Sequence, residues 1–578
     1  MKHYRIAAAL ASVALLSATA ACSSAGTSSG GPAASGGSQP SSSGSPAPAA
    51  GYDPAHAGGT LHLVANAAGG SLDPQINYTL QYWQLYQASY DGLLAFTKTA
   101  GDASFTVVPD LATAMPTVSD AGKTYTFQLR SGIKFSNGQP VTTKDVVASF
   151  ERIFKVSSPT AGTFYAGIVG ATACLAKPAT CDLSKGVIGD PATGTVVIHL
   201  TAPDPEFQYK LAVPHASILP ASTPGKDMGT TPIPGTGAYY FASDDPNRQL
   251  TMKRNPDFKV WSVAAEPQGY PDEIIQTFGL TVEDEVTAVE NGQADWVFDP
   301  LPADRLGEIG TKYESQAHVN TLTAMFYAPM NVNIAPFNNL KARQAVNWAV
   351  DRSAMVKIYG GTNLAVPACT FLPPGFPGHV DSCDYTAGGG ATWTAPDLAK
   401  AKQLVQESGT AGQTVGVVVQ SDVNKQLGEY LQSVLNQIGY KAVLKPISPN
   451  IQFPYIQNTK NKVQISISSW YQDYPAASDF LHVLLSCASF HQGSDTSINI
   501  SGFCDKPIDT QMDAALSTEQ TSMTQANTMW GQVDKAIMAQ APTAPLFTPK
   551  LIDFTSSRIK HYEFSKQFYM LVDQLWVK

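Results

Sequence analysis

The chain has 578 residues, of which 43% are hydrophobic and 10% aromatic, enough for the cores of several domains and too many for a wholly disordered chain. It carries 37 Lys and Arg against 46 Asp and Glu, a net charge of −9. An acidic chain without a basic stripe argues against nucleic-acid binding. No run of about 18 apolar residues follows the N-terminal segment, so the sequence predicts no membrane span beyond it.

Residues 1–21 have the organisation of a secretory signal peptide. A short basic region, 1–5, precedes an apolar stretch that ends in small residues directly before Cys22. The segment 19–22 is similar to a bacterial lipobox, in which the Cys is lipidated and becomes the first mature residue, although Thr19 stands where Leu is usual. We therefore expect a lipid on Cys22. Ordinary secretion with a coincidental Cys is the alternative.

A low-complexity segment follows the signal peptide. Residues 23–50 consist of Ser, Gly, Ala, Thr, Pro and Gln, a composition that cannot bury a core. We predict that 22–58 is a tether, whose low-complexity part reaches about 30 Å and holds the folded body off a membrane surface. The stretch 26–30 matches the hydrolase pattern G-x-S-x-G, but no strand precedes it and no helix follows, so the nucleophile interpretation fails on context.

The cysteine pattern favours disulfides. Six cysteines remain after Cys22, in sequence-local pairs separated by 7, 14 and 17 positions: Cys174 and Cys181, Cys369 and Cys383, Cys487 and Cys504. An even number outside the cytosol favours disulfides, although free core thiols are an alternative. Short loops cost the least entropy to close, so we expect nearest-neighbour pairing. The close C-x-x-C spacing of metal ligands is absent, and no metal or cofactor is predicted.

The N-terminal part of the folded body mixes strands and helices. Strands are predicted at 59–64, 125–129 and 196–200 from their apolar alternation. An Asn-Gly turn signal at 136–139 precedes a helix that opens at 142–145 with N-cap chemistry.

The segment 395–470 alternates helices and strands. Apolar residues at helical spacing run from Leu398 to Gly409 and from Leu427 to Gly439. Strands are predicted between and after these helices, at 414–419, 440–447 and 463–469. The alternation favours βαβ crossovers and a mostly parallel sheet, in which ligands lie outside the carboxyl ends of the strands. The last predicted strand runs directly into the aromatic and acidic block 470–474.

Several sequence blocks occur in a characteristic order: S-L-D-P at 71–74, Y-D-G-L-L at 90–94, P-D-L-A at 109–112, Y-T-F-Q-L-R-S-G-I-K-F-S-N-G at 125–138, G-T-G-A-Y at 235–239, R-N-P-D-F at 254–258 and K-A-R-Q-A-V-N-W-A-V-D-R at 341–352. With these blocks the chain resembles the extracytoplasmic solute-binding proteins of peptide-type ABC importers, the class that includes dipeptide- and oligopeptide-binding proteins. The resemblance covers nearly everything from Gly59 to Lys578.

The resemblance implies an α/β fold of the periplasmic-binding-protein type. Two lobes, with mixed and parallel sheets flanked by helices, would be joined by two chain crossings and would carry a small third domain. Lobe I would comprise 59–104, 225–320 and 541–578, the extra domain II 105–224, and lobe II 321–540. Hinge closure would trap a small solute between the lobes without altering it, so no enzymatic activity is expected.

The resemblance also implies a ligand site. In peptide-binding members an Asp in a W-x-x-D-Y block pairs with the free amino group of the peptide, and Asp473 stands at that position. A cleft that excludes water strengthens such a contact. Further contacts are expected from this block, from the segment after S-L-D-P and from the extra domain, namely Ser469, Trp470, Tyr471, Tyr474, Tyr78, Thr79, Leu80 and Tyr165. Alternatively, Asp473 caps local backbone, and Trp470 and Tyr474 are ordinary aromatic core.

The predicted function is that of a lipid-anchored, monomeric binding component of an ABC transporter on the outer face of the cell membrane. It would capture short peptides and deliver them to the permease and ATPase subunits. The same fold also suits other solutes, such as a nickel chelate, haem, an oligosaccharide or an opine, and the sensing of a peptide signal. A serine hydrolase is a distant alternative, because the S-x-x-K motif at 131–134 has no K-T-G or S-D-N partner in the chain.

Overall fold

The residues described by the computed structural model are 52–302, 304–421, 424–494 and 497–578. All of them belong to a single structural unit. The predicted signal peptide, the lipidation site Cys22, the G-x-S-x-G match and most of the tether lie outside the described residues.

The strands within these residues are short, except β19. Their bounds are β1 (Thr60–Ala65), β2 (Leu94–Phe96), β3 (Val107–Pro109), β4 (Thr117–Ser119), β5 (Thr124–Gln128), β6 (Val187–Asp190), β7 (Thr195–His199), β8 (Tyr239–Asp245), β9 (Gln249–Arg254), β10 (Glu273–Phe278), β11 (Trp296–Val297), β12 (Ala317–Thr321), β13 (Ala324–Pro329), β14 (Ala365–Pro367), β15 (Thr414–Gln420), β16 (Lys441–Ile447), β17 (Ile465–Ser466), β18 (Ser468–Tyr471), β19 (Thr543–Phe554), β20 (Phe564–Ser565) and β21 (Tyr569–Met570).

The α-helices lie between these strands along the chain, singly or in groups of two or three. Their bounds are α1 (Leu80–Tyr86), α2 (Thr143–Lys155), α3 (Ala161–Phe164), α4 (Ala171–Ala176), α5 (Phe207–Lys210), α6 (Val282–Glu290), α7 (Leu306–Lys312), α8 (Leu340–Ala349), α9 (Arg352–Tyr359), α10 (Leu398–Glu407), α11 (Asn424–Gln437), α12 (Pro449–Gln457), α13 (Ser478–Leu485), α14 (Lys506–Glu519) and α15 (Met523–Gln540).

The first sheet combines distant parts of the chain in the order β11-β1-β10-β9-β8. Strand β1 is parallel to β10 and β11, and the other pairs are antiparallel. Leu61 and Leu63 of β1 lie on one face, two residues apart, and both are fully buried. They share a hydrophobic cluster with Tyr82 and Leu85 of α1, which fixes that helix against the sheet.

The second sheet is antiparallel, in the order β4-β5-β7-β6. Helix α2 packs on it, because Val146 and Phe150 share one buried cluster with Phe127 of β5. The predicted N-cap is confirmed: the backbone N–H of Thr142 donates to the carboxylate of Asp145 at 2.8 Å, which satisfies a donor that a helix start leaves free.

The two remaining large sheets meet where the chain just after β13 bridges to β17, through Met330 and Ile465. The order β12-β19-β13-β18 is antiparallel, with β14 also paired to β19. The C-terminal half of β19 pairs with β12, and its N-terminal half pairs with β13 and β14. Strands β16-β15-β17 form a parallel sheet. The predicted helix α11 connects β15 to β16, which confirms the βαβ arrangement.

The prediction of one strand at 463–469 is wrong. The segment divides into β17, which pairs with β15, and β18, which pairs with β13 in another sheet. Between them the carbonyl of Ile467 accepts a hydrogen bond from the Gln452 side chain at 3.0 Å. The Gln452 side chain thus binds the carbonyl that a neighbouring strand would bind if the strand were continuous. At this point the chain passes from one sheet to the other.

Three disulfides join the six described cysteines in the sequence-local pairing predicted above: Cys174–Cys181, Cys369–Cys383 and Cys487–Cys504. None of the helices in the described part of the chain is long and apolar enough to cross a membrane. Within the same residues there is no group of three or more His, Cys, Asp or Glu side chains placed to hold a metal ion.

Candidate functional site

A cavity of about 320 Å³ lies where five separated parts of the chain meet. Its wall is formed by Phe453 and by residues 78–80, 83–84, 212–214, 469–473 and 567–569. The volume lies within the range of sites that enclose small molecules.

The wall at 469–473 is the end of β18 and the turn that follows it. Trp470 and Tyr471 pair with β13, and the backbone N–H of Gln472 donates to the carbonyl of Thr323 at 3.0 Å. The facing wall begins just before α1, where Thr79 has an extended backbone and its N–H donates to the Asn77 side chain at 2.8 Å. The pairing of β18 with β13 therefore positions one wall, and the start of α1 positions the other.

Asp473 is the acidic group of the cavity and is only 5% exposed. Its carboxylate accepts a hydrogen bond from the Tyr78 hydroxyl at 2.5 Å. Its backbone is fixed from both sides: the N–H donates to Asp479 at 2.9 Å, and the carbonyl accepts from the Gln567 side chain at 2.9 Å. The carboxylate thus contacts the facing wall, while main-chain contacts hold the residue in place.

Burial raises the pKa of Asp473 to about 7, and the hydrogen bond from Tyr78 lowers it in part. None of the groups that cause this shift is a cation. The pKa of Asp479 is also raised, by burial and by the charge of Asp473. The two neighbouring carboxyl groups therefore resist being ionised together.

Aromatic rings form much of the remaining wall. Tyr78 and Tyr471 keep 40% and 36% of their surface exposed and line the cavity. The Tyr78 ring lies 5.3 Å from Trp83 and 5.1 Å from His215, which packs behind the wall. Burial lowers the pKa of His215 to about 3, so this imidazole is neutral at neutral pH.

Tyr569 is a further aromatic residue of the cavity wall. The residue is 5% exposed, and its hydroxyl has no hydrogen-bond partner among the described residues. Its backbone φ of 64° lies in the left-handed region, which costs energy for a bulky side chain. Burial and the nearby charge of Asp473 raise its pKa, so the group is a neutral phenol.

Seven of the nine predicted ligand contacts lie in the cavity wall: Tyr78, Thr79, Leu80, Ser469, Trp470, Tyr471 and Asp473. The structure does not bring Tyr165 and Tyr474 to it. The Tyr165 hydroxyl donates to the carbonyl of Lys210 at 2.8 Å, and the Tyr474 ring stacks on Tyr209, so both are part of a hydrophobic core. Tyr165 is fully buried and Tyr474 is 2% exposed, which leaves neither with surface for a ligand.

Sequence reasoning missed Trp83 and Gln84, which lie one turn after Leu80 on α1, and Gln472, which lies next to Asp473. It also missed the wall residues 212–214, Phe453 and 567–569. These residues follow no periodic pattern, and none belongs to a block that suggested the family. They reach the cavity through packing between segments that are far apart in sequence, which no local signal encodes.

A cavity of this size, with one buried carboxylate and aromatic walls, suits the binding of a small solute. The model of the family described as "Bacterial extracellular solute-binding proteins, family 5 Middle" matches residues 106–492, and the chain belongs to this family.

Two relatives and one solved structure are similar over most of the chain. The glutathione-binding protein GsiB of Salmonella typhi is 26% identical over 77% of this chain and 81% of its own length. Di/tripeptide-binding protein 2 of Pseudomonas aeruginosa is 26% identical over 88% and 92%. The structure of clavulanic acid biosynthesis oligopeptide binding protein 2 superposes with a TM-score of 0.79 at 22% identity, covering 90% of this chain and 95% of that one. The fold is that of periplasmic peptide-binding proteins, as the sequence predicts.

Proposed function

We propose that this chain is the lipid-anchored binding component of an ABC importer, and that it captures a small solute with a free amino group, short peptides being the first candidates. The observation behind this proposal is that Asp473, a buried carboxylate in the cavity wall, has no cationic partner among the described residues. An ammonium group supplies the opposite charge and hydrogen-bond donors that such a carboxylate lacks. Similarity to proteins named for binding glutathione and di- and tripeptides supports peptides as candidates.

The capture mechanism in this proposal is hinge closure. Residues 59–104, 225–320 and 541–578 form lobe I, 105–224 form domain II, and 321–540 form lobe II. The pairing of one half of β19 with β12 and of the other half with β13 supports a chain crossing there. The hydrogen bond between the Tyr78 and Asp473 side chains then spans the two lobes.

Delivery follows from the family and from the N-terminal sequence. A lipid on Cys22 would hold the monomeric protein at the outer face of the cell membrane, and the loaded form would dock on the permease. ATP hydrolysis by the partner ATPase would then drive release. The protein itself leaves the solute chemically unchanged.

The test is the affinity of Asp473→Asn for a peptide that stabilises the wild-type protein. Ligands are first found by thermal shift with a dipeptide and tripeptide set, since a ligand of the folded state raises Tm. We expect the substitution to weaken binding by roughly 2–5 kcal/mol, because it leaves the ligand ammonium without its counter-charge. An N-acetylated form of the same peptide should lose affinity to a similar degree.

The matched control is Asp381→Asn, which makes the same chemical change at a side chain that is 82% exposed. This variant should bind like the wild-type protein. If Asp473→Asn binds with unchanged affinity, or if the acetylated peptide binds as tightly as the free one, Asp473 is not the amino-group partner.

A further inference from the structure

The described lining of the main cavity contains a single acidic or basic side chain, and it is acidic. Among the described residues that line it, Asp473 is the only carboxylate, and none is Lys, Arg or His. A zwitterionic dipeptide brings two charged ends into this space. Its ammonium finds a carboxylate, but its own carboxylate finds no cation.

The adjoining space does not supply a cation either. A second cavity of about 220 Å³ shares Phe453 and Ser469 with the first, and its described lining is neutral, with the side-chain amides of Gln420 and Gln452 among its polar groups. A ligand that extends from the main cavity into this one meets amides and hydroxyls. These groups suit an amide or hydroxyl end better than an ionised one, because an ion that leaves water needs an opposite charge.

The buried lysines near the cavity are already paired. Lys98 lies in a narrow cavity that shares wall residues with the main one, and its ammonium contacts Glu266 and Asp573. Lys210 pairs with Asp204 at 2.7 Å. Each lysine is surrounded by more carboxyl groups than one cation neutralises. The pKa of both lysines is raised, to which these carboxyl groups contribute.

The polar atoms that face the cavity suit an ammonium group. The Asp473 carboxylate and the Tyr78 hydroxyl already lie within hydrogen-bond distance of each other. An ammonium has three N–H donors and no acceptor, so the two carboxylate oxygens of Asp473 and the hydroxyl oxygen of Tyr78 match it. The rings of Tyr78, Trp83 and Tyr471 add faces that attract cations.

From these observations we propose that the cavity selects amino-terminated solutes without a carboxylate: organic monocations with an apolar or aromatic body, such as amines and C-terminally amidated short peptides. The proposal rests on the proposed function, in which Asp473 receives the amino group. It adds that the opposite end of the ligand is neutral. Peptides with a free C-terminal carboxylate are then poor ligands, although they carry the same amino group.

The test uses the full mature chain and four matched compounds: Ala-Phe, Ala-Phe amide, N-acetyl-Ala-Phe amide and phenethylamine. Affinities are measured by calorimetry at pH 7 and low salt. We expect Ala-Phe amide to bind at least tenfold more tightly than Ala-Phe, phenethylamine to bind measurably, and the acetylated amide to bind at least tenfold more weakly than the free amide. Equal or tighter binding of Ala-Phe than of its amide overturns the proposal.

A change in the wall provides an independent measurement. Ser469 lines both cavities, so Ser469→Lys introduces a cation where a ligand carboxylate would lie. We expect this variant to reduce the preference for amide over acid by tenfold or more relative to Ser469→Met, which matches the size but carries no charge. An unchanged preference in the folded Lys variant contradicts the proposal.

The two ends of the ligand separate this proposal from the proposed function. Equal binding of acid and amide, with loss of binding on acetylation, overturns the present proposal and leaves amino-group capture intact. Equal binding of the free and acetylated amides overturns amino-group capture. If none of the four compounds binds at millimolar concentration, the present proposal is overturned, and the dipeptide and tripeptide set described above decides amino-group capture.

Discussion

Ligand affinity should fall as the pH is lowered from 7 to 5. The pKa of Asp473 is raised to about 7 by burial, so the unliganded carboxyl group is about half ionised at pH 7 and about one hundredth ionised at pH 5. An α-amino group, with a pKa of about 7.7–8.0, stays largely protonated over this interval. Because only the ionised carboxylate pairs with the ammonium, Kd should rise about fifty-fold, or about 2.3 kcal/mol.

The neighbours of Asp473 leave this expectation in place. Tyr78, Tyr165 and Tyr569 have pKa values raised by burial and by the charge of Asp473, so all three phenols stay neutral between pH 5 and 7. Asp479 is the other acid in contact, and its pKa is raised as well. Asp479 does not line the cavity, so Asp473 is the carboxyl group whose ionisation should govern binding in this interval.

The assay is calorimetry of Ala-Phe amide binding between pH 5 and 7. Repeating each titration in two buffers of different ionisation enthalpy counts the protons released on binding, which should approach one at pH 5. Asp473→Asn, which cannot ionise, should bind weakly with a Kd that changes less than twofold over this interval. A wild-type Kd that stays within twofold, or the same pH dependence in Asp473→Asn, would refute the assignment.

Two further substitutions have defined outcomes. Arg152→Met should lower the free energy of unfolding by about 3–5 kcal/mol, because it leaves the buried carboxylate of Asp73 without its ion-pair partner. Lys341→Met removes a lysine from an exposed ion pair and should lower it by at most about 1 kcal/mol. Urea unfolding measures both, and equal losses would contradict the difference in burial. Tyr78→Phe removes a hydrogen bond that lowers the pKa of Asp473, so the midpoint of the pH dependence should move upward. A midpoint that is unmoved or lower would count against that contact.

The features predicted from sequence are those with a local cause. The helix after Thr142 follows from its capping chemistry, and β15 follows from an apolar run between two predicted helices. The strand predicted at 463–469 fails because the side chain of Gln452, which belongs to another element, takes the carbonyl of Ile467. Nothing in the segment itself reveals that contact.

The residues of the candidate site likewise divide into those with a local sequence signal and those without one. Residues 78–80 and 469–473 adjoin conspicuous sequence blocks and were open to prediction. Phe453 and residues 567–569 reach the cavity only because the chain folds back on itself. Tyr165 and Tyr474 fail for the opposite reason, because tertiary packing turns their rings into a core.

The hydrogen bonds to the main chain of Asp473 explain how the protein holds a buried carboxyl group whose pKa is raised. Because the folded-state pKa lies above the ordinary value, ionisation between about pH 4 and 7 lowers the stability of the unliganded protein, and a bound cation restores it. The residue stays in place in either protonation state, since Asp479 and Gln567 hold its backbone rather than its carboxylate. Ionisation therefore changes the charge of the cavity without moving its wall. A bound cation offsets the free-energy cost of burying this charge, and that offset contributes to the binding free energy of the ligand. A ligand without a positive charge gains no such contribution.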